Sequence, residues 1–382
     1  MISLHSHIND IAAAGWDALA GTQPFISHAF LAALENTGAV SEHSGWTPCH
    51  LAMRDADQQL IGAMPLYRKT HSCGEYVFDW AWAEAYQRHG LDYYPKLISA
   101  IPFTPVAGPR LLAKTDTTRQ SLLAAAVALA QESGDSSFHL LFSQGTEPAL
   151  AQNAGLLSRH DVQFHWLRGD WRDYSDFNDA LTRDKRKKLR QERRKVSDAG
   201  VTIIRKRGSE ISEADWAFFY SCYSNTYLEH RSRPYLSLAF FLQIASAMPQ
   251  ACLLVLAYQG GQPIAAALNI IGPDRLYGRY WGAVWGPAGY VANLHFELCF
   301  YQGIEFALEA GLDAFEGGAQ GAHKLARGFV PVTTQSAHWL AHPGFSDAVD
   351  QHLIQERLAV ASWQNELEQH KPFKPDKPAV NN

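Results

Sequence analysis

Apolar positions recur at helical spacing in some stretches of the chain and at every second residue in others, which predicts a mixed α/β protein. In the first half, HAFLAALENTG after Ser27 has the spacing of a helix that stops at Gly38. Two strands follow at 49–54 and 60–67, joined by an Asp-Ala-Asp turn. Three prolines stiffen the stretch 101–110 and argue against regular structure there. A helix at 117–132, a strand at 138–142, a short helix from Glu147 and a strand at 162–167 complete this half.

The second half opens with a helix carrying little but charge, from Arg183 to Lys195, whose only internal apolar residue is Leu189. A strand at 201–206 and helices at 212–229 and 238–248 follow. Strands at 252–258 and 263–271 flank Gly260-Gly261, a strong hairpin signal. Beyond them come a strand at 276–281, a glycine-rich loop, a helix from Leu294, a strand at 312–315 and an amphipathic helix at 345–368. The lysine- and proline-rich tail from 371 to 382 has the composition of a disordered end. Residues 51–67 align without a gap to 254–270, both as strand, short turn, Gln and an Ile-centred strand. That echo predicts two copies of one α/β unit.

Composition narrows the class. The 382 residues are 47% hydrophobic and 19% charged, a globular balance. The five cysteines are odd in number and form no CxxC, and the histidines show no HExxH or paired spacing, so neither a disulfide framework nor a metal site is indicated. The amino terminus lacks the pattern of a signal peptide, and the apolar run 122–130 is too short to cross a bilayer. A cytoplasmic protein without membrane insertion is expected. The net charge of −5 argues against general nucleic-acid affinity, yet the stretch from Arg183 to Lys195 holds a local excess of +7. That helix is either a solvated face or a platform for a phosphate-rich partner such as CoA or a tRNA acceptor end.

Candidate chemistry gathers between Arg279 and Phe329. On a helical wheel, His295, Gln302, Glu305 and Glu309 share the solvent stripe, with Phe296, Phe300, Ile304, Ala307 and Leu308 opposite. Glu297 falls in the middle of the apolar side, where a carboxylate must be paired, capped or protonated. The loop Trp285-Gly-Pro-Ala-Gly-Tyr290 joins a strand to a helix amino terminus, a setting suited to pyrophosphate. It carries neither the Walker A nor the dinucleotide fingerprint. The run Glu316-Gly-Gly-Ala-Gln-Gly-Ala-His-Lys324 puts Gln320, His323 and Lys324 on glycine-flanked backbone after a strand. Arg279 and Tyr280 supply a cation and a phenol beside the same loop.

The runs YYPKL (93–97), PFTPVAGPRLL (102–112), YGRYWG (277–282), LHFELCFYQ (294–302) and EGGAQGAHKLARG (316–328) resemble the proteobacterial FemAB-like family of N-acyltransferases within the GNAT superfamily. The resemblance spans most of the chain and implies two GNAT-like domains and a link to peptidoglycan. It implies that the loop 286–292 cradles the pyrophosphate of acyl-CoA, or that an aminoacyl-tRNA is the donor instead. Where the family pattern usually has Glu between Gly and His, this chain has Ala322.

These readings give an amino-terminal GNAT-like domain (1–168), a carboxy-terminal one with the site (169–345) and a final helix (346–370). The expected reaction is acyl transfer from acyl-CoA to an amine. His323 or Glu297 is expected as base and Tyr280 as acid, with Gly286, Gly289, Asn293 and Arg279 on the donor. Gln320, Lys324 and Glu316 are expected on a small-molecule or peptide acceptor. A FemAB-type aminoacyl-tRNA-dependent amide ligase, and a binding module that has lost catalysis at Ala322, are the competing expectations.

Overall fold

A computed structural model describes residues 1–285, 289–318 and 321–374. The chain forms two compact units, each assembled from separated stretches. Met1–Val162, Tyr235–Met248 and Thr333–Ser362 make the first; Gln163–Pro234, Pro249–Val332 and the chain from Trp363 onward make the second.

In the first unit, strand β1 (Ile2–His5) leads through helices α1 (Ala13–Ala20) and α2 (His28–Asn36) to the antiparallel pair β2 (His50–Arg54) and β3 (Leu60–Met64). The single strand predicted over 60–67 is two strands, because Pro65 has no amide to donate and ends β3 before Tyr67–Lys69 begins. Strands β4 (Lys96–Ser99) and β5 (Ser137–Leu140) then run parallel, joined by helix α3 (Asp116–Ser133). Thr115 caps α3 by accepting from the Thr118 amide, and Gly134 ends it in the left-handed region. Leu122, Leu123, Ala126 and Ala130 of α3 pack on Leu51, Met64, Leu97 and Phe138. Each such leucine contributes about 1.5–3 kcal/mol by leaving water.

The second unit repeats this order after the basic helix α4 (Arg183–Asp198). Strand β6 (Val201–Arg207) is followed by helix α5 (Glu213–Glu229) and by the hairpin β7 (Cys252–Gln259) and β8 (Gln262–Ile271); helix α6 (Leu238–Ala247), between them along the chain, belongs to the first unit. Strand β9 (Arg275–Ala283) pairs antiparallel with β8, and the short strand β10 (Ala314–Glu316) pairs parallel with β9. A helical stretch over 294–309 connects these last two, as α3 connects β4 and β5. The sequence echo therefore has a structural counterpart in the two hairpins, each with a register shift near the end of its first strand. Helix α5 lies so close to β9 that a Cβ on Gly282 would stand 1.9 Å from the Cys222 carbonyl oxygen.

Strand β11 (Val330–Leu340) and helix α7 (Pro343–Gln369) close the chain. Residues 371–374, expected to be disordered, are held in place. Phe373 stacks on Trp171 at 5.3 Å, the Thr182 amide donates to the Pro372 carbonyl, and the Lys374 amide donates to the Ala180 carbonyl.

Candidate active site

The parallel pairing of β9 with β10 is brief. Arg275, Leu276 and Tyr277 face Ala314, Phe315 and Glu316; β9 then runs on to Ala283 while the other chain turns away at Gly317. The carboxyl ends of two parallel strands part, and ligands of α/β sheets bind in such an opening. A cavity of about 110 Å³ occupies it, walled by Gly278, Trp281, Cys299, Phe300, Gly317 and Gly318, with Asn269, Arg279, Tyr280 and His295 as its polar lining. In the first unit the matching strand ends stay joined. The Leu141 amide donates to the Ser99 carbonyl, and Gly108 bridges Ser143 in parallel. The amides of Arg110 and Leu111 both donate to the buried Glu147 carboxylate, which seats the proline-rich segment there. The opening belongs to the second unit.

Each polar group reaches this cavity by an identifiable local device. Leu268 faces Tyr280 and Asn269 faces Gly278, so Arg279 is the extra residue of a β-bulge, which re-aims its side chain. Its guanidinium lies 5.2 Å from the centre of the Tyr280 ring. His295 arrives by a break in helical geometry. Residues Glu297–Tyr301 form a π turn, flanked by α-helical Leu294–Phe296 and Gln302–Glu309. One extra residue in a turn rotates what precedes it by about 100°. The helical wheel assumed an unbroken α-helix and placed His295 in the solvent stripe; the π turn brings it into the cavity, its ring 4.8 Å from Trp281 and 5.5 Å from Phe300. The same wheel put Gln302 in water, and it is buried.

Burial lowers the His295 pKa to about 4, and nearby positive charge adds to the fall, from His323 when protonated and from Arg327 and Lys324. The ring is therefore neutral at pH 7. Burial also draws Lys324 down to about 8, and its Nζ donates to the Gly318 carbonyl at 2.6 Å. Gly318 has φ +89, a conformation that favours glycine and turns this carbonyl toward the lysine. Burial pushes Glu316 up to about 7, against the pull of Arg275 and Arg279. Arg275 donates to one Glu316 oxygen at 3.1 Å. His323 is exposed beside Phe296 and Phe300, outside the cavity lining.

Glu297 answers the question its position raised: it is paired. Arg193 of α4 donates to both its oxygens, at 3.1 and 2.9 Å, and to Glu305 at 2.5 Å; the Gln302 amide adds 2.9 Å. Glu297 and Arg193 line a separate groove of about 320 Å³ with Val196, Val201 and Ile203, and Glu297 does not line the cavity that holds His295. A second pair lies nearby, where Arg327 donates twice to Glu192 and Tyr301 donates to the same carboxylate. Helix α4 is thus more than a solvated face. Its inward side fastens the site helix, while Arg183, Lys187, Lys188 and Arg190 stay exposed.

Of the expected donor-binding residues, Gly289 (φ +77) and Asn293 (φ +66) precede the helix that starts at Leu294. Gly286 and Gln320 lie outside the described residues. Position 322 falls in the turn Ala322–Arg327. Among the described residues no group of three or more His, Cys, Asp or Glu is arranged to hold a metal ion, and no helix is long and apolar enough to cross a membrane.

The FemAB-like family, described as peptidoglycan biosynthesis/recognition, matches residues 7–375. The chain belongs to the FemAB-like family. The fold agrees with that membership. The structure of FemX matches over 89% of this chain and 98% of its own, at 11% identity and TM-score 0.53. The carboxy-terminal DUF2156 domain of an Agrobacterium fabrum protein assigned as a lysylphosphatidylglycerol synthetase matches over 91% and 96%, also at 11% identity and TM-score 0.53. A conserved protein of unknown function from Bacteroides thetaiotaomicron matches over 88% and 99%, at 11% identity and TM-score 0.50. A search of curated proteins returns no match. The expected class, two GNAT-like α/β units with mixed sheets, is the fold of this FemAB-like chain. Family membership links the chain to peptidoglycan biosynthesis or recognition.

Proposed function

We propose that this FemAB-like protein transfers an acyl group from acyl-CoA to an amine in the cavity between β9 and β10. The observation that carries the reading is the parting of those parallel strands around Arg279, Tyr280 and His295. A thioester already has a good leaving group, so three tasks remain: aligning the substrates, taking a proton from the amine and stabilising the oxyanion. Neutral His295 takes the amine proton as nitrogen adds to the acyl carbon. Tyr280 gives its proton to the departing sulfur as the carbon–sulfur bond breaks. Arg279 and Lys324 hold the donor's negative charge.

The electrostatics support this division of labour. The positive charges of Arg327 and Lys324, and of His323 when it is protonated, weaken His295 as a base. A donor's phosphates would neutralise that field, so donor binding raises the basicity of the residue that acts next. His295 replaces His323 and Glu297 as the favoured base, because His323 stands outside the cavity lining and the Glu297 oxygens are held by Arg193 and Gln302.

A second reading, an aminoacyl-tRNA donor, draws support from the outer face of α4. Its 16 residues extend about 24 Å, longer than a pyrophosphate requires. Thermal-shift titration against acetyl-CoA and alanyl-tRNA distinguishes the two. Stabilisation by acetyl-CoA alone supports the first reading. Stabilisation by alanyl-tRNA alone, lost with rising salt and weakened when Lys187, Lys188 and Arg190 are neutralised, supports the second. A shift with neither donor removes both.

A further inference from the structure

Strand β8 runs between β7 and β9, and from Ile264 to Ile270 it is buried throughout. Its sequence there, Ile-Ala-Ala-Ala-Leu-Asn-Ile, contains one polar residue. Asn269 is 1% exposed, and its Nδ2 has no hydrogen-bond partner among the described residues. A buried amide donor left without an acceptor has given up its hydrogen bond to water and gained none in return. The strand's ladder bonds come from its backbone, so the fold gains nothing from an amide side chain at this position.

What the amide faces is the cavity. Asn269 lies opposite Gly278, next to the bulge that carries Arg279, and both it and Gly278 line the opening. Trp281, Cys299 and Phe300 make the surroundings apolar. A fixed N–H in such a pocket suits an oxygen that gains negative charge, since the donor is already oriented and little water competes.

We propose that Asn269 donates its Nδ2–H to the carbonyl oxygen of the acyl group during transfer. As the amine nitrogen adds to the acyl carbon, the carbonyl electron pair moves onto oxygen, where Asn269 holds it. Collapse re-forms the carbonyl and expels the carrier's sulfur or oxygen. Asn269 gains and loses no proton. This role rests on the transferase reading above.

Asn269→Leu, close in volume and apolar, tests it through two independent readouts. With the donor that the wild-type chain uses, acetyl-CoA or alanyl-tRNA, turnover should fall at least a hundredfold while KM for the amine changes less than threefold. The unliganded variant should melt at or above the wild-type temperature, because it loses an unsatisfied donor and no contact. A wild-type rate in an intact variant overturns the role and leaves the transferase reading standing. A fall of several degrees in melting temperature shows a structural asparagine and also overturns it. If the wild-type chain transfers from neither donor, the function reading falls, and melting alone decides whether Asn269 is a donor without a protein partner. Asn269→Asp, which presents an acceptor instead, should be at least as slow as the leucine variant; normal turnover there counts against the role.

Discussion

Arg193 and Glu297 offer a test of how the site helix is held. In Arg193→Leu the Glu297 carboxylate, whose side chain is 5% exposed, keeps only the Gln302 amide at 2.9 Å. Removing one partner of a buried ion pair costs about 3–5 kcal/mol. Arg193 is itself 27% exposed, so water screens part of that loss and about 2–3 kcal/mol is expected. At roughly 2–4 °C per kcal/mol for a unit of this size, the melting temperature should fall by about 4–12 °C. Glu297→Gln keeps the shape, and Arg193 retains Glu305 at 2.5 Å, so its cost should be near ~1 kcal/mol. The double variant Arg193→Leu/Glu297→Leu should recover most of the loss, because apolar replacement of a buried pair is often neutral. Differential scanning fluorimetry reads all three. If Arg193→Leu melts within 1 °C of wild type, or the double variant is no better than it, the pair does not hold the helix. Turnover adds a second check: Glu297→Gln should stay within about tenfold of wild type, since its carboxylate is held by Arg193 and Gln302 rather than facing the cavity.

Three further outcomes are expected. Gly282→Ala would set a Cβ 1.9 Å from the Cys222 carbonyl, and the forced shift of α5 should cost about 1–3 kcal/mol, read as a lower urea midpoint. In the first unit, His139 and His338 bond through Nδ1 at 2.6 Å, and burial lowers His139 to about 3 and His338 further. The unfolded chain takes up protons at these rings below about pH 6.5 while the folded one does not, so their stabilisation is complete above that pH and is lost as pH falls toward 3. Denaturation of wild type and His139→Gln should therefore show a wild-type advantage that shrinks between pH 7 and 5; a constant difference would contradict the neutral pair. Lys324→Met removes the donor to the Gly318 carbonyl and a cation next to the cavity, so KM for acetyl-CoA should rise about tenfold or more, measured by initial rates.

Much of the fold was legible because it rests on local signals. Gly260-Gly261 marks the β7–β8 hairpin, and the helix read over 117–132 lies within a residue or two of the observed ends of α3. The echo of 51–67 in 254–270 anticipated the repeated hairpin. The neighbourhood of the site was legible too, since glycines and polar residues cluster from Arg279 to Lys324. Its membership was not. His295 was assigned to solvent because a wheel cannot register a π turn, and the inward role of Arg193 was hidden by a partner 104 positions away. Asn269 carries a usable signal, a lone polar residue in an apolar central strand, but the sequence alone does not show that this side of the strand meets a cavity. Pro65, a proline inside the stretch 60–67, is the residue that divides it into two strands.

In the proposed reaction, transfer takes place in the cavity between β9 and β10 with His295 accepting the proton. The direct measurement is the steady-state rate of amide formation by His295→Gln, followed by mass spectrometry with the donor that stabilises the wild-type chain. The rate should fall at least a hundredfold, with a melting temperature within about 2 °C of wild type and no comparable loss in His323→Gln. A wild-type rate in an intact His295→Gln variant would contradict the proposed reaction.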